Sequence, residues 1–344
     1  MSDRLAFVEY PPLENPGVAF ALSPDGRLVA HAGFQTASVE WVEVRPVDGS
    51  RAPIRLTFPM SGADAATGAD CSNGISQLAW HPDAPLIASG SWRHEGGVRV
   101  WGATPLGAAA ERAAATITAH RDNVTGLAFS PTGRTLFSTS AGDDKAIRWC
   151  RLDLSWLGEL HHHPGEQTGE VVASADDPTL YGYAAPAVSP DGQWLAVRRL
   201  NRDDTRVVEV RRARAPAEVL CTVPSRSGVF AWTTDGRLLT ENADGQLVAS
   251  APLVGTSEVL QSRAFGGRLQ RLDPRPDGDA LAVIFELDGS GGDGVTVLER
   301  GASGAYSERT EAQPVGGSVA TSGWTTGGSE LILVLGDGRV SGAR

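Results

Sequence analysis

The chain has 344 residues, of which 41% are hydrophobic and 21% charged, and its formal net charge is −11. That apolar fraction is enough for a continuous core and excludes a largely disordered chain. The acidic charge disfavours nucleic acid and anionic lipid as binding partners, because both are repelled by a surface that is negative on average.

The start of the chain and its cysteines bear on where the protein resides. The first ten residues lack the basic and apolar regions of a secretion signal, and no run of 18 apolar residues occurs. The three cysteines, Cys71, Cys150 and Cys221, are odd in number and widely spaced, which is typical of reduced thiols. A cytoplasmic location is therefore predicted. Lys145 is the single lysine, and the abundance of Ala, Gly and Arg indicates a GC-rich, bacterial coding sequence.

In chain order, a short alternating segment, Leu5 to Tyr10, precedes a series of hairpins whose turns recur to the end of the chain. These turns are Ser23-Pro-Asp-Gly26, His81-Pro82-Asp83, Ser130-Pro-Thr-Gly133, Ser189-Pro-Asp-Gly192, Thr234-Asp-Gly236, Pro276-Asp-Gly278 and Thr326-Gly-Gly328. In such a turn Pro presets φ and Gly accepts a positive φ, so the flanking β-prone runs pair antiparallel. A recurrence of roughly 40 to 60 residues is typical of a β-propeller, in which each blade contributes four strands.

Residues 119–149 carry the most specific motif. Ala119-His120, the strand from Val124 to Ser130, Ser138, Asp143 and Ile147-Arg148-Trp149 resemble a WD repeat. The resemblance implies a hydrogen-bonded brace formed by His120, Ser138, Asp143 and Trp149, with Cys150 in place of the Asp that helps to name the repeat. The second copy, from Ile75 to Trp101, also resembles the repeat, with Glu95 at the position of the brace Asp. Along the rest of the chain the resemblance consists of the recurring spacing of the hairpins.

The resemblance to WD-repeat propellers also implies how the fold closes. The last copy, residues 318–344, has only three β-prone runs, so residues 1–10 are expected to supply the fourth strand of the last blade. The predicted fold is all-β: one domain, residues 1–344, forming a seven-bladed β-propeller with four-stranded antiparallel blades. The fourth strand of blade three is either Leu157 to His161 or Glu170 to Ala173.

Motifs for catalysis and metal binding are weak in this sequence. No Gly-x-Ser-x-Gly elbow occurs, and no α/β segment remains to house a catalytic triad, so no catalytic residue is predicted. The tract His161-His162-His163 is interpreted as a solvated loop, because successive strand residues point to opposite faces and no further ligand lies at a convincing spacing. No metal ion and no cofactor are expected.

The remaining signal lies at the tips of the hairpins between second and third strands, which are expected to project on one face of a propeller. Trp and Arg are enriched in binding hot spots because they bury a large area and pair charge bidentately. The candidates for a protein-binding site are Phe34, Trp92, Arg93, His94, Arg199 and Arg202.

The resemblance implies a non-enzymatic scaffold that binds protein partners, as a subunit or regulator in a bacterial signalling or defence assembly. A propeller enzyme, or a sugar or metal binder that uses the central channel as lactonases and glycosidases do, is the alternative. A third hypothesis is phosphate binding by the arginines of blade four, which are concentrated between Arg198 and Arg214.

Overall fold

The computed structural model describes residues 4–14, 16–32, 39–59, 74–92, 97–102, 113–117, 120–152, 167–172, 177–252, 254–261, 267–287, 291–302 and 304–344. All regular secondary structure in these ranges is β-strand, and the strands form seven antiparallel sheets. The prediction of an all-β, seven-bladed β-propeller with four-stranded blades is confirmed. None of the described residues forms a helix long and apolar enough to cross a membrane.

The chain divides into two compact units. One comprises Leu13–Pro186, and the other comprises Ala187–Arg344 together with the described part of Met1–Pro12. The first strand of the chain is β1 (Phe7–Tyr10).

The unit Leu13–Pro186 contains three complete sheets, each with its strands in sequence order. The first sheet consists of β2 (Ala19–Leu22), β3 (Leu28–Ala32), β4 (Val39–Pro46) and β5 (Ile54–Pro59). The second consists of β6 (Ile75–Trp80), β7 (Leu86–Ser91), β8 (Val98–Gly102) and β9 (Ala113–Ile117). The third consists of β10 (Val124–Phe129), β11 (Thr135–Ser140), β12 (Ala146–Arg151) and β13 (Gln167–Val172).

The remaining strands form four sheets. The fourth sheet consists of β14 (Leu180–Val188), β15 (Trp194–Asn201), β16 (Arg206–Arg212) and β17 (Ala215–Pro224). The fifth consists of β18 (Phe230–Trp232), β19 (Leu238–Glu241), β20 (Leu247–Ala251) and β21 (Thr256–Gln261). The sixth consists of β22 (Leu269–Pro274), β23 (Ala280–Glu286), β24 (Asp293–Arg300), β25 (Tyr306–Glu308) and the short β26 (Gln313–Pro314), which also pairs with β24. The seventh consists of β27 (Val319–Trp324), β28 (Leu331–Leu335) and β29 (Val340–Ala343), with β1 at its edge.

The position of β1 confirms the predicted N-terminal strand. It pairs antiparallel with β29, with Phe7 opposite Ala343 and Tyr10 opposite Val340. The Tyr10 hydroxyl also donates to Glu330 Oε1 at 2.9 Å. The strand therefore completes the last sheet through both backbone and side-chain bonds.

The fourth strand of blade three, left open by the sequence, is β13. It pairs with β12, with Arg148 opposite Glu170 and Ala146 opposite Val172. Residues 157–161, the other alternative, lie outside the described residues.

The recurring turns fold as their residues require. In the turn that ends β2, the Gly26 amide donates to Ser23 O at 2.8 Å, and Gly26 has a φ of 69°. The Ser23 hydroxyl accepts from the Leu28 amide at 2.9 Å, which ties the side chain to the next strand. In the second copy, Ala84 occupies the position of Gly26, and its amide donates to His81 Nδ1 at 2.8 Å. A side-chain nitrogen thus replaces the backbone carbonyl as the acceptor in the turn that lacks Gly.

The core of each unit lies between neighbouring sheets. In the unit Leu13–Pro186, one buried cluster joins the first and second sheets and another joins the second and third. A repeated tryptophan adds a polar link at these packed faces. Trp80 Nε1 donates to Ala21 O at 3.0 Å, and in the other unit Trp232 donates to Ala187 O at 3.1 Å and Trp324 to Asp273 O at 2.8 Å. Sheet packing is therefore fixed by hydrogen bonds as well as by burial.

Candidate functional site

The third sheet contains a buried polar network around His120. Its Nε2 lies 2.7 Å from Ser138 Oγ on β11, and its Nδ1 lies 2.6 Å from Asp144 Oδ2 in the turn between β11 and β12. Nδ1 also lies 2.5 Å from Arg148 Nη1, so this nitrogen faces a donor-only guanidinium as well as an acceptor-only carboxylate. Contacts at both ring nitrogens therefore hold the imidazole in one orientation.

Asp144 is the centre of this network. Ser140 donates to its Oδ2 at 2.7 Å, and Arg148 forms a two-bonded ion pair, with Nη2 to Oδ1 at 2.9 Å and Nη1 to Oδ2. Burial by itself raises the pKa of Asp144, but hydrogen bonds from His120, Arg148 and Ser140 hold that pKa far below its usual value. The carboxylate is therefore ionised at every physiological pH.

The prediction that Asp143 and Trp149 belong to the brace is wrong. Asp143 is exposed, whereas its neighbour Asp144 is 2% exposed and makes the contacts. Trp149 is half-buried, and strand register places Cys150 opposite Leu136, as Trp101 lies opposite Ile87 in the second sheet. The brace tryptophan of the third sheet is thus replaced by Cys150, and Arg148 joins the network instead.

The second sheet holds the complementary half of the same brace. Ser89 lies opposite Arg99, as Ser138 lies opposite Arg148. The buried Trp101 donates from Nε1 to Ser89 Oγ at 2.8 Å. Glu95, which takes the place of the brace Asp in the sequence, lies outside the described residues.

Buried carboxylates that sequence reasoning missed occur in further sheets, among them the first and the fourth. In the first sheet, Glu43 accepts from His31 Nε2 at 3.1 Å and pairs with Arg55 at 2.8 Å. Burial lowers the pKa of His31, which favours its neutral form. In the fourth sheet, Glu209 pairs with Arg211, and both are about 3% exposed or less. Alternation of Glu with apolar residues on β4 and β16 was the available signal.

The six predicted protein-binding residues have different outcomes. Trp92 follows β7 and is 42% exposed. Phe34, Arg93 and His94 lie outside the described residues. Arg199 and Arg202 belong to the hairpin between β15 and β16, in the other compact unit.

Those two arginines are not equivalent. Arg199 donates from Nε to Asn201 Oδ1 at 2.7 Å and lies 3.4 Å from Glu209 Oε1, so its charge is largely engaged. Arg202 is exposed in a turn held by Asp203, whose Oδ1 accepts from the Thr205 amide at 3.0 Å. Of the two, Arg202 is the side chain presented to solvent on a fixed turn.

Comparison with known proteins agrees with this architecture. The family model described as "WD domain, G-beta repeat" matches residues 65–102 and 112–149. A chain in the crystal structure of the mitotic checkpoint complex superposes with a TM-score of 0.68 at 15% identity, covering 98% of this chain and 90% of that one. The two matched stretches are WD repeats, and the whole chain has the fold of a WD-repeat β-propeller.

Two other WD-repeat neighbours cover nearly the whole length. The structure of U3-55K has a TM-score of 0.65 at 14% identity and covers 98% of both chains. The crystal structure of the RRP9 WD40 repeats has a TM-score of 0.65 at 14% identity, covering 100% of this chain and 99% of that one. No curated protein matches the sequence of the chain significantly. At these identities the likeness to solved structures concerns the fold.

Proposed function

We propose that this WD-repeat propeller is a non-enzymatic scaffold that binds protein partners through its loops. The observation that carries the proposal is that the side chains best suited to catalysis are buried and hydrogen-bonded to one another. Ser138, His120 and Asp144 are connected in the order of a serine-hydrolase triad, yet they are at most 6% exposed. A hydroxyl bonded inside a sheet and shielded from solvent cannot attack a substrate.

Within the described residues, no group of three or more His, Cys, Asp or Glu side chains is arranged to hold a metal ion. The tract 161–163 lies outside them. One structural neighbour was solved in a mitotic checkpoint complex, that is, within an assembly. We extend this mode of action to the present chain, as a cytoplasmic component of a bacterial signalling or defence assembly with protein rather than nucleic acid as its partner.

The proposed contact residues are tested separately in each unit. Trp92 is an exposed aromatic at the end of a strand, the type of residue that anchors interfaces. Trp92→Ala is compared with Tyr181→Ala, because Tyr181 is 44% exposed and lies on a strand of the same unit. Arg202→Glu is compared with Arg214→Glu, which makes the same charge change in the turn after β16.

Affinity purification of the native protein at two salt concentrations is the deciding experiment. A stable protein companion that is lost with Trp92→Ala or Arg202→Glu, and kept with the two controls, supports the scaffold. A bound sugar or metal in a monomer without companions supports the channel enzyme or ligand binder instead and contradicts the proposal.

A further inference from the structure

Two arginines pack against a glycine within the unit Ala187–Arg344, and the charge of a third acts on one of them. Arg198 lies near the end of β15, Arg206 begins β16, and Arg268 directly precedes β22. Gly228, in the loop between β17 and β18, has a φ of +76°, and a Cβ there would lie 2.7 Å from Arg198 Cδ and 3.1 Å from Arg206 Cδ. The absence of a side chain at position 228 therefore lets the stems of Arg198 and Arg206 pack against the backbone there.

The three positive charges act on one another. Burial lowers the pKa of Arg198, and the charges of Arg206 and Arg268 lower it further. No negative group counters these effects on Arg198. Like charges held together in a partly buried place cost free energy unless something compensates them.

Carboxylates of the fourth and fifth sheets have other arginines as partners. Glu209 pairs with Arg211 and Arg199, and Glu241 Oε1 lies 3.4 Å from Arg226, while its Oε2 has no hydrogen-bond partner. Within the described part of the chain, Arg206 donates from Nη1 to Ser227 O at 3.1 Å, and none of the three arginines has a carboxylate oxygen within ion-pair distance. Arg198 Nε is buried without a hydrogen-bond acceptor.

This arrangement departs from the rest of the unit. Several other arginines there are matched to carboxylates, as in the pairs Arg237–Asp235, Arg275–Asp277 and Arg339–Asp337. On a chain of net charge −11 acidic partners are plentiful. An unmatched trio with an orphaned buried donor is therefore a local property of this place and not a general feature of the surface.

We propose that Arg198, Arg206 and Arg268 form a binding site for a doubly charged oxyanion of the phosphate class. Guanidinium groups offer planar, paired donors that match phosphate oxygens bidentately. A dianion offsets most of a threefold positive charge, whereas a single carboxylate would leave twice as much charge uncompensated. This inference does not depend on the scaffold function, because it involves neither Trp92 nor Arg202.

The first test measures thermal stability and binding with inorganic phosphate as the probe. Phosphate should raise the melting temperature of the native protein above that in chloride of equal ionic strength, because a ligand of the folded state stabilises it. Arg268→Met is the main variant, since Arg268 is exposed and its replacement leaves the fold intact. We expect its phosphate affinity, measured by calorimetry, to fall at least about tenfold, the loss typical of one charge-assisted hydrogen bond.

Arg198→Met and Arg226→Met sharpen the test. Without ligand, Arg198→Met should melt at a higher temperature than the native protein, because it removes one of three mutually repelling charges, and it should lose the response to phosphate. Arg226→Met is the control, since Arg226 is half exposed and already paired with Glu241. An equal phosphate response in Arg268→Met, Arg226→Met and the native protein would overturn the site, as would the absence of any response in the native protein.

The source of the oxyanion is distinguished by a second arm. A phosphoserine peptide is compared with its unmodified form and with inorganic phosphate. Tighter binding of the phosphopeptide, lost in Arg268→Met, identifies a phosphorylated side chain as the ligand. Equal or tighter binding of inorganic phosphate, lost in the same variant, identifies a free anion. Loss of a protein companion in Trp92→Ala is a separate readout, so the two proposals fail independently.

Discussion

The second and third sheets use an equivalent serine for different partners. Ser89 accepts a hydrogen bond from Trp101, whereas Ser138 is hydrogen-bonded to His120 Nε2. In the second sheet the partner is a large neutral ring, and in the third it is the end of a chain that leads to the ion pair of Asp144 and Arg148. Each sheet thus retains a different half of one brace. The comparison indicates that strand register fixes the position of the serine hydroxyl, while its partner is either a tryptophan of the third strand or a histidine that precedes the first strand.

The largest expected effect concerns the charged half of the brace, the ion pair of Asp144 and Arg148 in the third sheet. Asp144→Ala should lower the free energy of unfolding by about 3–5 kcal/mol, because Arg148 would be left as a buried charge without its acceptor. Chemical denaturation followed by fluorescence measures the change. Asp143→Ala is the matched control and should cost no more than about 0.5 kcal/mol, since Asp143 is exposed. A larger loss in the control would show that Asp143 belongs to the brace after all.

The two serines should have effects of similar size despite their different partners. Ser138→Ala leaves His120 Nε2 without its hydrogen-bond partner, and Ser89→Ala leaves Trp101 Nε1 without its acceptor. Each loss should cost about 1–3 kcal/mol, the cost of an unpaired buried polar group. Ser257→Ala, on the exposed face of β21, is the control in the same assay. A neutral Ser138→Ala would mean that the third sheet is held by its ion pair alone.

A smaller effect is expected for Trp101→Phe, which keeps an aromatic ring but removes the Nε1 donor. We expect a loss of about 1 kcal/mol from the hydrogen bond, with any cavity adding to it. A double-mutant cycle isolates the bond: Trp101→Phe and Ser89→Ala should be coupled, whereas Trp101→Phe and Ser138→Ala should be additive. Coupling in the second pair would contradict the independence of the two sheets.

The smallest effect is a difference in pH dependence. The pKa of Asp144 is depressed in the folded protein, so its stabilisation is complete above the unfolded value of 3.8 and is lost as pH falls toward the folded value. The stability gap between the native protein and Asp144→Asn should stay constant from pH 8 to about 5 and close only under stronger acid. The gap for Ser89→Ala should not change with pH, because neither Ser89 nor Trp101 titrates there. Thermal melts at matched ionic strength measure both.

Hairpins were the part of the fold that the sequence could predict. A Pro-Asp-Gly turn restricts its own backbone, so Gly26 and Gly192 have the positive φ values expected of them, 69° and 71°. The three runs of the last copy likewise became β27, β28 and β29, with β1 at their edge.

The brace was harder to predict because its members are defined by face and register. Asp143 and Asp144 are adjacent, and a shift of one residue in a hairpin moves a side chain to the other face. Trp149 was attractive as a tryptophan in a WD-like motif, yet only strand pairing shows that Cys150 occupies the place of Trp101. The arginine cluster was harder still, since Arg198 lies in the fourth sheet, Gly228 in the loop that leads to the fifth, and Arg268 just before the sixth.

The pairing of β1 with β29 has a consequence for how the chain is made. Ala343, the partner of Phe7, is added more than 300 residues after it. Until then β1 remains without its neighbour, and the seventh sheet cannot be completed. The backbone hydrogen bonds between β1 and β29 therefore form only after β29 has been synthesised, and joining such distant segments should make this step the slow one in refolding.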